Sequence, residues 1–220
     1  MADGDRLDRH LRAWLGRWPA EGTGLDVVAW PGRAEPGWDG HVHPAIGVRT
    51  ASGEGVLSVL PSAVDQVRAL ATGPDLLAGL PAMVGRPDGV AYEGVFRWTL
   101  DPAPLPDVGV WLPAEHALVP DWLRVFGGEV LVALDPDTGG YLAGVGVKHH
   151  DAYGHELAVG TVERARGRGL ARRLVAQAAR RVLDDGAVPT YLHDPANVAS
   201  AKTAEAAGFP DRGWTVLAVV

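Results

Sequence analysis

The 220-residue chain is 47% apolar and 21% charged, the proportions of a folded water-soluble protein long enough to bury a proper core. It has no cysteine, which excludes disulfides, thiolate metal sites and a cysteine nucleophile. The opening stretch "MADGDRLDRH" is acidic and unlike a secretion signal, and no apolar run nears the ~20 residues of a membrane span, so a cytoplasmic protein is expected.

Residues 6–18, "RLDRHLRAWLGRW", place Leu7, Leu11, Trp14, Leu15 and Trp18 at helical spacing behind Asp3 and Asp5 as caps. From 22 to 56 the chain is rich in Gly and Pro, with short strands expected near 25–30 and 44–49. Pro61 and Ser62 open a helix to about residue 72, a second helical piece covers 74–83, and "YEGVFRWTL" reads as a strand. "DPAPLPD" (101–107) reads as a linker. "GEVLVALD" and "GYLAGVGVKHH" form a hairpin over "PDTGG", and "HELAVGTV" (155–162) is a third strand. A helix over 169–184 buries Leu170, Leu174, Val175, Ala178 and Val182. A strand "PTYLH" (189–193) and a helix over 197–207 follow, the helix capped by Asn197 and stopped by Gly208. "WTVLAVV" closes the chain as a strand.

Charge is unevenly placed. Residues 164–183 hold seven arginines and no acid, while the remaining 200 residues carry 13 basic against 27 acidic side chains, a net charge of −14. A net-negative chain with one compact positive segment suits a small polyanion better than nucleic acid, which wants a broad basic face. The segment "RARGRGLARRL" sets glycines among arginines where a strand gives way to a helix. Glycine permits positive φ and close approach, a helix start offers unpaired N–H groups, and arginine supplies donors for phosphate oxygens. A Walker loop would need Gly-Lys-Ser/Thr, which is absent, and a dinucleotide fingerprint counted from Gly167 meets Arg172 at its sixth position. What fits is Arg-x-x-Gly-x-Gly, met by Arg164, Gly167 and Gly169 with Leu170 and Ala171 following.

On these residues the chain resembles the GCN5-related N-acetyltransferase (GNAT) superfamily. "VGTVERARGRGLARRLVAQAARRV" is similar to that family's pyrophosphate loop and helix, and "YLHDPANVASAKTAEAAGF" to its second acyl-CoA segment. The resemblance covers roughly residues 108–220. It implies a mixed, mostly antiparallel sheet flanked by helices: residues 106–220 as an acyl-CoA-binding transferase domain, and residues 1–105 as an N-terminal α/β extension of unknown role.

The resemblance further implies acetyl-CoA as co-substrate, no metal, and a small-molecule or peptide amine as acceptor, with neither nucleic acid nor membrane as partner and a homodimer left open. Thr161, Val162 and Glu163 would hold the pantetheine arm through their backbone. Arg164, Arg166, Gly167, Arg168, Gly169, Leu170 and Ala171 would hold the pyrophosphate, with Asn197, Ser200 and Lys202 also on the cofactor. Many members carry a tyrosine general acid four residues before the Gly-Phe glycine, where this chain has Ala204. Either the thiolate leaves without that acid, or Tyr191 or Ser200 substitutes. Glu156 and His155 are the candidate bases for the incoming ammonium, with His149, His150 and Asp151 on or near the same hairpin. A non-catalytic acyl-CoA-binding or sensory module is the alternative.

Three other features carry less. His41 and His43 have metal-like spacing but no carboxylate cluster beside them. Trp30 and Trp38, in a Gly/Pro loop, are candidates for a pocket wall. None of the four serines sits in Gly-x-Ser-x-Gly, against a serine hydrolase.

Overall fold

The computed structural model describes residues 4–73 and 75–220. In chain order the elements are α1 (Gly4–Leu15), β1 (Leu25–Ala29), β2 (Ala45–Arg49), β3 (Gly55–Val59), α2 (Val64–Ala71), α3 (Leu76–Met83), β4 (Ala91–Trp98), β5 (Val110–Pro113), α4 (Asp121–Arg124), β6 (Glu129–Leu134), β7 (Tyr141–His149), β8 (Gly154–Thr161), α5 (Leu170–Asp184), β9 (Val188–His193), α6 (Val198–Ala206) and β10 (Thr215–Val219). The expected mixed α/β class, with mostly antiparallel strands flanked by helices, is what forms. Two compact units are present, one holding residues through Phe96, 193–195 and Asp211–Val220, the other Arg97–Leu192 and Ala196–Pro210.

In the first unit the strand order is β1-β3-β2-β10-β4, with β1 parallel to β3 and the remaining neighbours antiparallel. Helix α1 buries Leu7, Leu11, Trp14 and Leu15 as its spacing requires, but it stops at Leu15 because Gly16 turns to a φ of 79°. Trp18 stays buried beyond the helix end, 5.8 Å from Trp214. Of the expected caps, Asp5 falls in the first turn of α1 and Asp3 lies outside the described residues. Trp30 packs its indole over Gly16 and Gly32.

Strand β3 escapes a reading by alternation, because all five of its residues are buried and a strand covered on both faces shows no period of two. Its one polar side chain, Ser58, donates to the Ile46 carbonyl at 3.0 Å.

In the second unit the order is β9-β8-β7-β6-β5, with β8 and β9 parallel and the others antiparallel. Helix α5 covers the face that presents Ala143, Val145, Leu157 and Val159, and Leu174, Val175, Ala178 and Val182 pack down on it. The expected linker 101–107 is instead a strap laid along α5. It cannot pair like a strand, since Pro102, Pro104 and Pro106 lack N–H groups. Side chains of α5 satisfy its carbonyls: Arg180 donates to Ala103 and Leu105 at 3.1 Å each, and Arg173 to Pro106 and Asp107 at 3.1 and 3.2 Å. Gln177 continues the strap by bonding the backbone of Val108 and Gly109.

The opposite face of β7 and β8 is paved with glycine. An added Cβ would lie 2.5 Å from Leu123 at Gly144, 2.2 Å from Phe126 at Gly146 and 2.7 Å from Trp122 at Gly160. Glycine weakens a strand by itself, so its use here follows from the close seat it gives these three side chains around α4. Gly146→Ala is expected to cost about 1–3 kcal/mol by overpacking. Urea unfolding checks this, and a midpoint equal to wild type would show that Phe126 has room to move.

Candidate active site

Strands β8 and β9 pair over only three rungs: Gly154 with Val188, His155 with Pro189 and Glu156 with Thr190. Past that point the parallel strands diverge, and the gap opens into a groove of about 730 Å³. Its walls are Val159, Gly160 and Thr161 from β8, the loop and first turn of α5, Tyr191 from β9, and Asn197, Ser200, Lys202, Thr203 and Ala206 around α6. A strand edge that loses its neighbour offers unpaired backbone groups, which an extended amide chain can satisfy as an added strand.

The loop leaves β8 through a tight turn at Glu163–Ala165 and enters α5 with both glycines left-handed, Gly167 at a φ of 76° and Gly169 at 75°. Gly169 occupies the cap position of α5 with no side chain closing the cap, so the first-turn N–H groups stay available to an anion. A Cβ at Gly167 would meet nothing within 4 Å, so its need for glycine is conformational, whereas one at Gly169 would press on Arg172. Arg166, Arg172 and Lys202 line the groove with no acidic residue among the lining residues. Three cations facing one cavity suit a polyphosphate ester.

The expected cofactor residues divide. Thr161, Arg166, Gly167, Gly169, Leu170, Ala171, Asn197, Ser200 and Lys202 reach the groove wall; Val162, Glu163, Arg164 and Arg168 do not. Val162 has used its N–H on the Leu142 carbonyl and its own carbonyl on the Ala165 amide. The Glu163 carbonyl accepts from the Arg166 amide within the turn. Arg164 donates to the Tyr141 carbonyl at 2.9 Å and pins the loop to β7. The charge of Arg168 faces Asp135, whose carboxylate is held low chiefly by the Thr138 and Asp137 amides. Val159, Gly160, Arg172 and Tyr191 line the groove without having been expected on the cofactor. Of these, Arg172 was legible as a first-turn cation of α5.

Asn197 caps α6 by accepting from the Ser200 amide at 2.9 Å. The Ser200 hydroxyl lies 2.9 Å from the Tyr191 hydroxyl. Burial pushes the Tyr191 phenol above its ordinary value, with the Ser200 bond and the Arg97 charge opposing, so the group keeps its proton at neutral pH. Ala204, at the position of the family's tyrosine, is fully buried in the cluster that contains Tyr191 and Phe209. It leaves no space beside the groove; the position is core.

Glu156 and His155, the two candidate bases, are consecutive on a strand and therefore point to opposite faces. His155 is on the α5 side, its Nε2 3.1 Å from Nδ1 of His149. Glu156 is on the glycine-paved side at the last paired rung. Lys148 donates to one of its oxygens at 2.5 Å and Nε2 of His150 lies 2.9 Å from the other. Burial alone would push this carboxyl up, but the His150 bond and the Lys148 charge outweigh it and hold the group below the ordinary carboxylate value. Neither Glu156 nor His155 touches the groove.

A second cavity, of about 650 Å³, lies in the first unit among Asp39, His41, His43 and Arg86. His43 is hydrogen-bonded to Asp39 there at 3.1 Å. Among the described residues no group of three or more His, Asp or Glu has the arrangement of a metal site, and no helix is long and apolar enough to cross a membrane.

Residues 92–209 match the model of the acetyltransferase (GNAT) family, and the chain belongs to that family. Acetyl-CoA-dependent N-acetylation is the family's general activity. Among solved structures, a GCN5-related N-acetyltransferase-like protein from Streptococcus suis 89/1591 aligns over 100% of both chains, with 17% identity and a TM-score of 0.49. A GNAT-family protein from Novosphingobium aromaticivorans DSM 12444 has 22% identity over 59% of this chain and 64% of its own, with a TM-score of 0.48. An acetyltransferase of the family from Colwellia psychrerythraea has 16% identity over 64% of this chain and 60% of its own, with a TM-score of 0.47. The chain thus spans under two thirds of the length of the latter two. No curated protein matches it.

The His149–His155 pair at the β7–β8 hairpin gives a pH dependence. Burial pushes the His149 imidazole below its ordinary 6.5, with Asp185 opposing and His150 adding to the shift. The unfolded chain then takes up a proton that the folded chain resists, so stability is full above about pH 6.5 and is lost as the pH falls through the lower folded value. The urea midpoint is expected to drop from about pH 7 to about pH 5, and His149→Gln to flatten that drop. An equal drop in the variant would move the effect elsewhere.

Proposed function

We propose that this chain transfers the acetyl group of acetyl-CoA to an amine by direct attack in a ternary complex. The observation that carries this reading is the divergence of β8 and β9 beside an uncapped helix start and three cations. The residues fit the ligand: Gly167 and Gly169 with the first turn of α5 would cradle the diphosphate, Arg166, Arg172 and Lys202 would neutralise phosphate charge, and the free edge of β8 at Val159–Thr161 would hold the pantetheine amides. Acetyl-CoA supplies the acyl group as a thioester. The absence of cysteine leaves no thiol for a covalent thioester on the enzyme, in keeping with direct attack.

Strand alternation divides the proton work between the two faces. On the α5 side, the Tyr191 and Ser200 hydroxyls form the donor couple for the departing thiolate. On the glycine-paved side, Glu156 and His150 form the acceptor couple for the ammonium. Glu156 lies three residues short of Val159, roughly 10 Å along the strand, too far to touch a group in the groove directly. A low-lying carboxylate is also a weak base, whereas an imidazole is the side chain best suited to accept a proton near neutrality. The proton therefore reaches the Glu156–His150 couple through water, with the carboxylate orienting the imidazole. A well-placed base is worth ~10²–10⁴-fold, because an alkylammonium near pKa ~10 is almost wholly protonated at neutral pH.

Two experiments test this. Calorimetric titration with CoA should show binding, and Gly169→Val should weaken it at least about tenfold, since a β-branched residue is strained at positive φ and crowds the cradle. Absence of CoA binding at millimolar ligand would overturn the reading. In a free-thiol release assay, Glu156→Gln and His150→Gln should each lower kcat/KM about 100-fold, with the double variant no worse than either and CoA affinity within twofold. Tyr191→Phe should lower kcat in the same assay. Full additivity of the Glu156 and His150 losses would break the couple. Tight CoA binding without thiol release from any amine would leave a binding module.

A further inference from the structure

We infer that the acceptor is a primary amine carrying an aromatic or comparably bulky apolar group, and that Trp122 is the shelf on which that group lies. The inference rests on the transfer reading above and names the class of amine for it. Trp122 stands in α4 with 39% of its surface exposed, and its six-membered ring lies directly on Gly160, whose missing Cβ would sit 2.7 Å from it. Gly160 is also a wall of the groove. An exposed indole thus touches the strand that borders the gap, on the face away from α5.

The shelf is built rather than incidental. Phe126 meets Trp122 edge to face at 6.2 Å and is seated on Gly146, so two aromatic rings replace the strand side chains that would otherwise cover this face. Leu118 and Val125, close to Trp122 in sequence, are exposed too, so among the described residues three of the eight large exposed apolar side chains fall within residues 118–125. Such clustering marks a contact surface.

Polar groups continue the same face. Moving along β8 from Gly160, the residues on this side are Ala158 and then Glu156 with its Lys148 and His150 partners. From Gly160 to Glu156 is four residues, roughly 13 Å. An amine directed at the proton-accepting couple near the last paired rung would therefore lay a body of up to about that length over Ala158 and against Trp122. A short polar amine would leave the indole wet and gain nothing from it.

The test is calorimetric titration of the CoA-saturated protein with 4-phenylbutylamine and with ethanolamine. The aryl amine should bind at least about tenfold tighter. Trp122→Ala should remove most of that preference while CoA affinity stays within about twofold, and Trp122→Phe should keep it within about threefold. Equal affinities for the two amines in the wild type, or an unaltered preference in Trp122→Ala, would overturn the inference. So would a Trp122→Ala protein that turns from dimer to monomer in sedimentation with its amine preference intact, which would give the patch to a second copy of the chain. Failure of CoA itself to bind would count against the transfer reading alone; the same titrations on the unliganded protein would still read the shelf. If Trp122→Ala does not fold, Trp122→Phe and Trp122→His, compared with the two amines, carry the test.

Discussion

Parallel strands hold together as long as each finds the other's amides and carbonyls at regular spacing. In this protein β8 and β9 keep that arrangement for three rungs and then part, with β8 running on to Thr161 and β9 turning away toward α6. An unpaired strand edge inside a fold is costly unless something fills it. The gap is flanked by a helix start that no side chain caps and by cations with no acid among the groove walls. In the proposed function, the pantetheine arm of the cofactor completes this edge.

The same strands separate two kinds of chemistry by simple alternation. Odd positions of β8 face α5 and α6, where Tyr191 and Ser200 meet, and even positions face α4, where Glu156 stands with Lys148 and His150. A sequence reading that named His155 and Glu156 together as candidate bases joined two residues that a strand necessarily sends apart. Only one can serve a given face, and His155 is bonded to His149 on the other.

Arginine illustrates how one residue type can be recruited for unlike purposes within twenty residues. Arg166 and Arg172 face the groove. Arg173 and Arg180 hold the carbonyls of a proline-rich strap, Arg164 fastens the loop, and Arg181 bonds Glu129 at 3.0 Å while lying over the Trp111 ring. Composition concentrated positive charge correctly; burial and reach decided which charges remain for a ligand. The strap also explains why so irregular a segment, 101–107, is fixed without a strand partner.

The local code was legible wherever a residue's own backbone demands a conformation. Left-handed Gly167 and Gly169 at a helix mouth, Asn197 capping α6, Gly208 ending it at a φ of 92°, and the apolar stripes of α1 and α5 all follow from propensities that neighbours in sequence enforce. What no local pattern carried was the partner of each group: that β3 is covered on both faces, that Val162 has already spent its amide on β7, that Ala204 is core, that glycines at 144, 146 and 160 seat Leu123, Phe126 and Trp122. Those depend on contacts between residues far apart in the chain. Side-chain and backbone groups there compete for the same hydrogen-bonding atoms and the same space, and only the packed arrangement determines which of them win.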